Sequence, residues 1–382
     1  MSKLKSKKSA IAIIAIFLAF TFTLSALFFI IPKEDYSSSE KRYLKELPEI
    51  SLENFLSGDL TKGLEGDANG GYIPDHFPFR SFFVGVNSYF NLLTGATADN
   101  GYYFAKDGYI VTKPPKDLRS EMNMNLINRF AASFDEVTLA VVPSPGYIME
   151  DILPLNHIAY PDDTVYGYIN ENKAPNVSSV DMRPALSDAF AKGGELYYHT
   201  DHHWTTEGAY LGYLEICKSL GITPLEKESF TLSSYDNFYG TTYSSSGYFL
   251  TKPDTLEIWE NESLTDINVT ITEGKAATIH GSMYFPAHLE EDDMYPVFLD
   301  GNHALVEIEN KNADNDKTLV IVKDSFAHCL TPFLSAHYSK VIMVDLRYYK
   351  DSVSSLCAEN SDLLFLYGMN NFCTDSNLAY LE

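Results

Sequence analysis

Positive charge is scarce in this chain. Its 382 residues hold 28 Lys and Arg against 52 Asp and Glu, a formal net charge of −24. That balance argues against nucleic acid as a partner, because phosphate binding needs a basic surface. It carries no information on fold. Cysteine is scarce too. Cys217, Cys329, Cys357 and Cys373 lie scattered, with no C-x-x-C pair among them. An exported chain can pair such residues, but four cysteines allow three connectivities and a core of this size needs no staple, so they receive no assignment. Internal repeats, low-complexity tracts and the helical H-E-x-x-H spacing of zinc hydrolases are all missing. What is plentiful is apolar and aromatic side chain, 45% and 14% of residues, which excludes a disordered chain.

The first feature present is a long uncharged run. Lys3, Lys5, Lys7 and Lys8 precede Ala10 to Ile31, and Pro32 and further charges end the run. As a helix rising ~1.5 Å per residue, that run is about 33 Å long, enough to cross a bilayer. A cleaved signal peptide has an apolar stretch of only ~7–15 residues and a small-residue cleavage site. This run is longer, and no A-x-A site follows it. The expected organisation is a cytoplasmic tail over 1–9, a transmembrane signal anchor over 10–31 and a polar stalk over 32–70. The lysines stay inside by the positive-inside rule, which puts 71–382 outside the cytoplasm.

Beyond the stalk the pattern becomes regular. Phe82, Phe83, Val86, Tyr89, Phe90 and Leu93 recur at helical spacing. "NGYYFAKDGYIV" alternates about a Lys106-Asp107-Gly108 turn and reads as a hairpin. Residues 116–134 read as a helix, and "VTLAVVP" (137–143) as a buried parallel strand. "VSSVDM", "ELYYHT", "TLVIV", "KVIMVDL" and "DLLFLYGM" read as further strands, with helices after Thr205 or Thr206 and after Ser325. Strands alternating with helices predict an α/β fold on a parallel sheet. The Tyr-, Ser- and Thr-rich stretch 225–310 breaks that alternation and reads as a β-rich insertion.

The stretch "YYHTDHHWTTEGAY" (197–210) concentrates His199, Asp201, His202 and His203 just before Trp204. Three metal ligands at alternate positions of one extended segment cannot easily surround an ion, so no metal is expected. A catalytic histidine instead needs one carboxylate to orient it. Asp201 and His203, two apart, share one side of an extended segment, which makes His203 the base and His202 a structural residue. The competing reading is a capped turn carrying solvated histidines. The nucleophile sought is Ser325 in "TLVIVKDSFAHCL", where an apolar strand turns into a helix. There the hydroxyl stands at the carboxyl end of the sheet, beside helix N–H groups suited to an oxyanion. A plain helix cap at Asp324 or Ser325 is the bland alternative.

"TDHHWTTEGAY", "DHFPFRSFF", "NGYYFAKDGYIV", "VKDSFAHCLTPFL" and "VDLRYY" together resemble the pattern of the DHHW family of bacterial exported proteins, in the same order, from about residue 70 to 372. That family is similar to the SGNH-hydrolase-like proteins that O-acetylate alginate and other exopolysaccharides. The resemblance implies a flavodoxin-like sheet and a Ser-His-Asp acyl-transfer site of Ser325, His203 and Asp201. It implies a polysaccharide acceptor, a membrane-bound O-acyltransferase as acetyl donor, and no cofactor. Lys323 departs from the pattern, which has glycine before the Asp-Ser pair. Such enzymes also take oxyanion or substrate contacts from other loops. Gly240, Gly301, Asn302 and Asn370 sit in turn-like sequences here, and Arg347 follows a strand end. An acetyl esterase on the same site is a second reading. A non-catalytic polysaccharide-binding or assembly protein, using the 26 tyrosines and 24 phenylalanines as stacking platforms, is a third.

Overall fold

The structure is a computed structural model that describes residues 2–37, 42–66, 70–291 and 293–381. Parts of the expected stalk (38–41 and 67–69) and one position of the 225–310 stretch lie outside the described residues. The chain divides into two units, Met1–Leu93 and Thr94–Glu382.

In the first unit, helix Ser2–Ile30 contains Lys7–Ile30, the one helix among the described residues long and apolar enough to cross a membrane. The stretch expected as an irregular stalk folds in part into two short helices, Leu52–Ser57 and Asp59–Glu65. Ser51 caps the first of them by accepting from the Asn54 N–H at 3.1 Å. Arg42 holds the buried Asp75 through two bonds, 2.9 and 2.7 Å. The helical spacing of phenylalanines becomes helix Arg80–Leu93.

The second unit is built on one eight-stranded sheet. Its strands in chain order are β1 (Val137–Val142), β2 (Val177–Val180), β3 (Ile267–Glu273), β4 (Ala276–His280), β5 (Leu305–Asn310), β6 (Thr318–Lys323), β7 (Lys340–Val344) and β8 (Ser361–Gly368). Their spatial order is β4-β3-β5-β7-β6-β8-β1-β2. The pairs from β7 across to β2 are all parallel, and β5, β3 and β4 continue the sheet antiparallel. Three strands of the 225–310 stretch thus extend the main sheet. Two further strands of it form a separate ribbon, Thr231–Phe238 against Asp254–Glu260, with the short helix Thr241–Ser246 between them.

The apolar runs of the central strands are explained by burial on both faces. Along β6, Leu319 and Ile321 enter one core, with helices α1 (Thr206–Leu220) and α2 (Ala327–Ser335). Val320 and Val322 enter the other, with helix residues Met124, Ile127 and Phe130. Each such fully buried aliphatic side chain contributes roughly 1.5–3 kcal/mol. The four cysteines are all unpaired.

One predicted strand is absent. "ELYYHT" makes only an isolated bridge, Tyr197 to Trp204, and no sheet pairing. The Tyr198 N–H donates to the His203 carbonyl and the Thr205 N–H to the Leu196 carbonyl, so the segment doubles back on itself. The fold places this turn, and the ends of β1, β6, β7 and β8, at the carboxyl edge of the parallel strands, where crevices form in such sheets.

Candidate active site

Three elements converge on the site. Strand β6 ends at Lys323, and Asp324 and Ser325 make the turn into α2. The doubled-back turn carries Asp201 and His203. Trp204 ties the two together, its buried Nε1–H donating to the Phe326 carbonyl at 3.1 Å. The structure brings the three residues of the Ser-His-Asp expectation into one chain. Asp201 Oδ1 lies 2.5 Å from His203 Nδ1, and His203 Nε2 lies 2.7 Å from Ser325 Oγ. Asp201 Oδ1 also accepts the His203 backbone N–H at 2.9 Å. The pair therefore meets through a side-chain-to-backbone turn, rather than along an extended strand as the spacing suggests.

The second oxygen of Asp201 is fully used as well. Oδ2 accepts from the Thr241 N–H at 2.7 Å and from Thr241 Oγ1 at 2.9 Å. Burial opposes the charge on Asp201. The neighbouring His202 and His203 rings and these hydrogen bonds outweigh it and hold the carboxyl well below the usual carboxylate range. The residue stays an anion, suited to orient His203 and to stabilise its protonated form.

Asp324 shapes the nucleophile turn. Its Oδ1 accepts the Phe326 N–H at 2.9 Å, and its Oδ2 accepts the Gly368 N–H at 2.7 Å and Asn371 Nδ2 at 2.9 Å. One buried carboxylate thus fastens the end of β6 to the end of β8, and burial raises its pKa. The Ser325 N–H meets no acceptor among the described residues.

The remaining sequence candidates fall in different places. The Gly240 N–H is committed to Thr200 Oγ1 at 3.1 Å, and a Cβ at this position would stand 2.4 Å from Asp201 Oδ2. Gly240 thus supports the carboxylate of the pair and has no N–H left for an oxyanion. Gly301 sits at φ +86° after two other left-handed residues, Leu299 and Asp300, a backbone glycine adopts without strain. Arg347 is bound by Asp345 through Nε at 2.8 Å and Nη2 at 2.6 Å, and its Nη2 also donates to Asn302 Oδ1 at 2.8 Å. Its side chain is turned to that pair. Asn370 lines a cleft of about 290 Å³, with His202, Thr241, Phe326, Tyr102 and Lys113. Lys323, where the family pattern has glycine, is buried between Asp345 Oδ2 at 3.0 Å and His328 Nε2 at 2.8 Å.

Asp201, His202 and His203 offer ligand atoms within 4.8 Å of one another, a group able to hold a metal ion. Within the group, Asp201 Oδ1 and His203 Nδ1 are engaged with each other, and His202 Nδ1 lies 2.7 Å from Thr241 Oγ1. The sequence reading missed Thr241, Tyr295, Asn371 and the tie through Trp204. Thr241 lies 40 residues from Asp201 and Asn371 47 from Asp324, so spacing gives no sign of either. The tryptophan directly after the histidines was the one legible signal.

The DHHW protein family model matches residues 169–344, a span that includes Asp201, His203 and Ser325. A second model, described as SGNH hydrolase-like domain, acetyltransferase AlgX, matches residues 99–236 and ends before Ser325. No curated protein matches. Among solved structures, a DHHW family protein from Eubacterium siraeum is 23% identical, covering 74% of this chain and 95% of its own, with TM-score 0.63. PatB1 of Bacillus cereus is 21% identical, covering 71% of this chain and 97% of its own, with TM-score 0.60. A PatB1 structure with a sulfonyl adduct gives TM-score 0.62 at 18% identity, covering 72% and 97%. These likenesses establish the fold, and the two family models match parts of the chain, 169–344 and 99–236.

Proposed function

Starting from a chain that carries the DHHW family domain, we propose that it is a membrane-anchored extracytoplasmic O-acetyltransferase acting on a cell-envelope or secreted polysaccharide. One observation carries the reading: the unbroken chain from Asp201 through His203 to Ser325, at 2.5 and 2.7 Å, on a strand-to-helix turn at the sheet's carboxyl edge. Helix Lys7–Ile30 is the anchor in this reading. A membrane-bound O-acyltransferase is the source of the acetyl group, and the acetyltransferase-type family model supports that class of reaction.

Ser325 Oγ attacks the acetyl carbonyl of the donor while His203 Nε2 takes the hydroxyl proton. The Ser325 N–H, which meets no acceptor among the described residues, is available to the oxyanion. Collapse expels the donor's leaving oxygen, which takes the proton from His203, and leaves an acetyl ester on Ser325. An acceptor hydroxyl then attacks that ester. His203 takes its proton and returns it to Ser325 Oγ as the serine leaves.

A covalent serine probe and an acetyl-ester turnover assay on the full chain test this reading. A sulfonyl fluoride should label Ser325. Ser325→Ala and His203→Ala should each remove most turnover, and the double variant should be no worse than either, because the residues act as a unit. Unlabelled Ser325, or wild-type turnover in folded Ser325→Ala, would favour a non-catalytic binding protein. Digestion of the 71–382 portion by protease outside intact cells checks the topology; complete protection there refutes it.

A further inference from the structure

His202 takes no part in the proton path just described, yet its ring is held in one orientation beside that path. Its Nδ1 lies 2.7 Å from Thr241 Oγ1, and its ring centroid is 3.8 Å from that of His203. Thr241 Oγ1 has one proton to give and two neighbours to receive it, Asp201 Oδ2 at 2.9 Å and His202 Nδ1. A hydrogen bond to an ionised carboxylate is roughly twice as strong as one between neutral groups. The hydroxyl therefore donates to Asp201. Its oxygen in turn accepts from His202, which places the His202 proton on Nδ1 and leaves Nε2 with a bare lone pair.

No hydrogen-bond donor meets Nε2 among the described residues, and 38% of the side chain is exposed. The ring forms part of the wall of the 290 Å³ cleft, whose lining includes Tyr102, Tyr160, Asn370 and, as its single charged side chain, Lys113. Burial of the ring, with His203 alongside, pushes the His202 pKa down to about 4, so the lone pair is open at neutral pH.

The geometry points to His202 Nε2 as a fixed hydrogen-bond acceptor for a hydroxyl of the acceptor saccharide, a specificity contact of the transfer half-reaction. This inference rests on the acyl-transfer reading above. In it, one sugar hydroxyl attacks the acetyl ester on Ser325 and gives its proton to His203 Nε2, while a second hydroxyl of the same sugar donates to His202 Nε2. Water, with no second hydroxyl to place, gains nothing from this contact. His202 thereby biases the acetyl-enzyme toward transfer over hydrolysis.

The test uses the full chain, p-nitrophenyl acetate as donor and a short neutral oligosaccharide as acceptor. The quantity read is the ratio of acetylated saccharide to free acetate, which does not depend on how much enzyme is folded or acylated. His202→Leu should lower that ratio at least tenfold and raise the acceptor KM. His202→Gln, whose side-chain carbonyl also accepts, should keep the ratio within threefold of wild type. An unchanged ratio and acceptor KM in His202→Leu overturns the inference and leaves acyl transfer standing. If wild-type Ser325 never becomes acetylated, the acyl-transfer reading falls, and this inference with it.

Discussion

The phenol ring of Tyr295 lies flat against the imidazole of His203, with ring centroids 4.0 Å apart and planes 7° from parallel. Both residues are buried. The stack limits rotation of the histidine and presents an aromatic face to the positive charge that His203 acquires when it takes the serine proton. Such a face is worth about 0.5–2 kcal/mol to a cation. Tyr295→Leu should therefore lower acetyl-ester turnover by roughly 2- to 30-fold at 1.4 kcal/mol per decade. Tyr295→Phe keeps the face and loses only the hydroxyl's two long contacts, 3.3 Å to the Ser325 carbonyl and 3.7 Å to Cys329 Sγ, so its turnover should stay within about threefold of wild type. Steady-state kinetics of the two variants decide it; equal losses would mean the hydroxyl, and not the ring face, matters.

The α/β alternation and the position of Ser325 were legible because both depend on local pattern. Apolar β-branched runs such as "TLVIV" form buried parallel strands, and a serine directly after one must sit at the sheet's edge. The Asp-x-His pairing was legible for a less direct reason. The sequence suggested an extended segment with side chains on one side, whereas the chain turns back and Asp201 binds the His203 N–H as well as its ring. Thr241, Tyr295 and Asn371 were not legible, since tertiary folding alone carries them to the site. The turn-like sequence makes Gly240 one of several candidates for an oxyanion or substrate contact, and its N–H instead serves Thr200. The strands of 267–310 looked like an insertion because antiparallel pairing interrupts the strand–helix rhythm, although they extend the same sheet.

Acid stability follows from His202 and Asp201 in two stages. The His202 pKa falls from its ordinary 6.5 to about 4 in the folded protein. A group whose folded pKa is depressed binds fewer protons folded than unfolded, so its contribution is complete above the unfolded value and is lost as pH falls toward the folded one. For His202 that window runs from 6.5 down to about 4. Asp201, also depressed, adds its loss only below the ordinary carboxyl range, about 3.9. Relative to His202→Gln, the Tm of wild type should thus fall between pH 6.5 and 4, while Asp162, which burial raises to about 6, and Asp324 and His288, also raised, pull the other way in both proteins. His328 and His337, whose pKa values burial lowers, act in the same direction as His202 in both. Parallel Tm curves for the two proteins would show that His202 is as easily protonated folded as unfolded.

Gly240 gives the sharpest steric test of the support behind the site. Its φ of −88° is open to any residue, so backbone strain is not the reason for glycine here. Space is the reason. A Cβ would lie 2.2 Å from Asp201 Cβ and 2.4 Å from its Oδ2, closer than real atoms approach. Asp201 cannot retreat without loosening its bonds to Thr241 or to His203. Overpacking of this kind costs roughly 1–3 kcal/mol. The same displacement, acting on a carboxylate that must aim His203 at Ser325, should reach the chemistry, since misplacement by about 1 Å is enough to cost on the order of a hundredfold. Gly240→Ala is therefore expected to lower the denaturant midpoint modestly and acetyl-ester kcat severely, with KM little changed. Gly301→Ala, where the added Cβ meets nothing closer than 3.5 Å and the left-handed backbone supplies the strain, should destabilise by about as much while leaving kcat near wild type. Equal effects on kcat from the two substitutions would remove Gly240 from the support of Asp201 and reduce both to ordinary losses of stability.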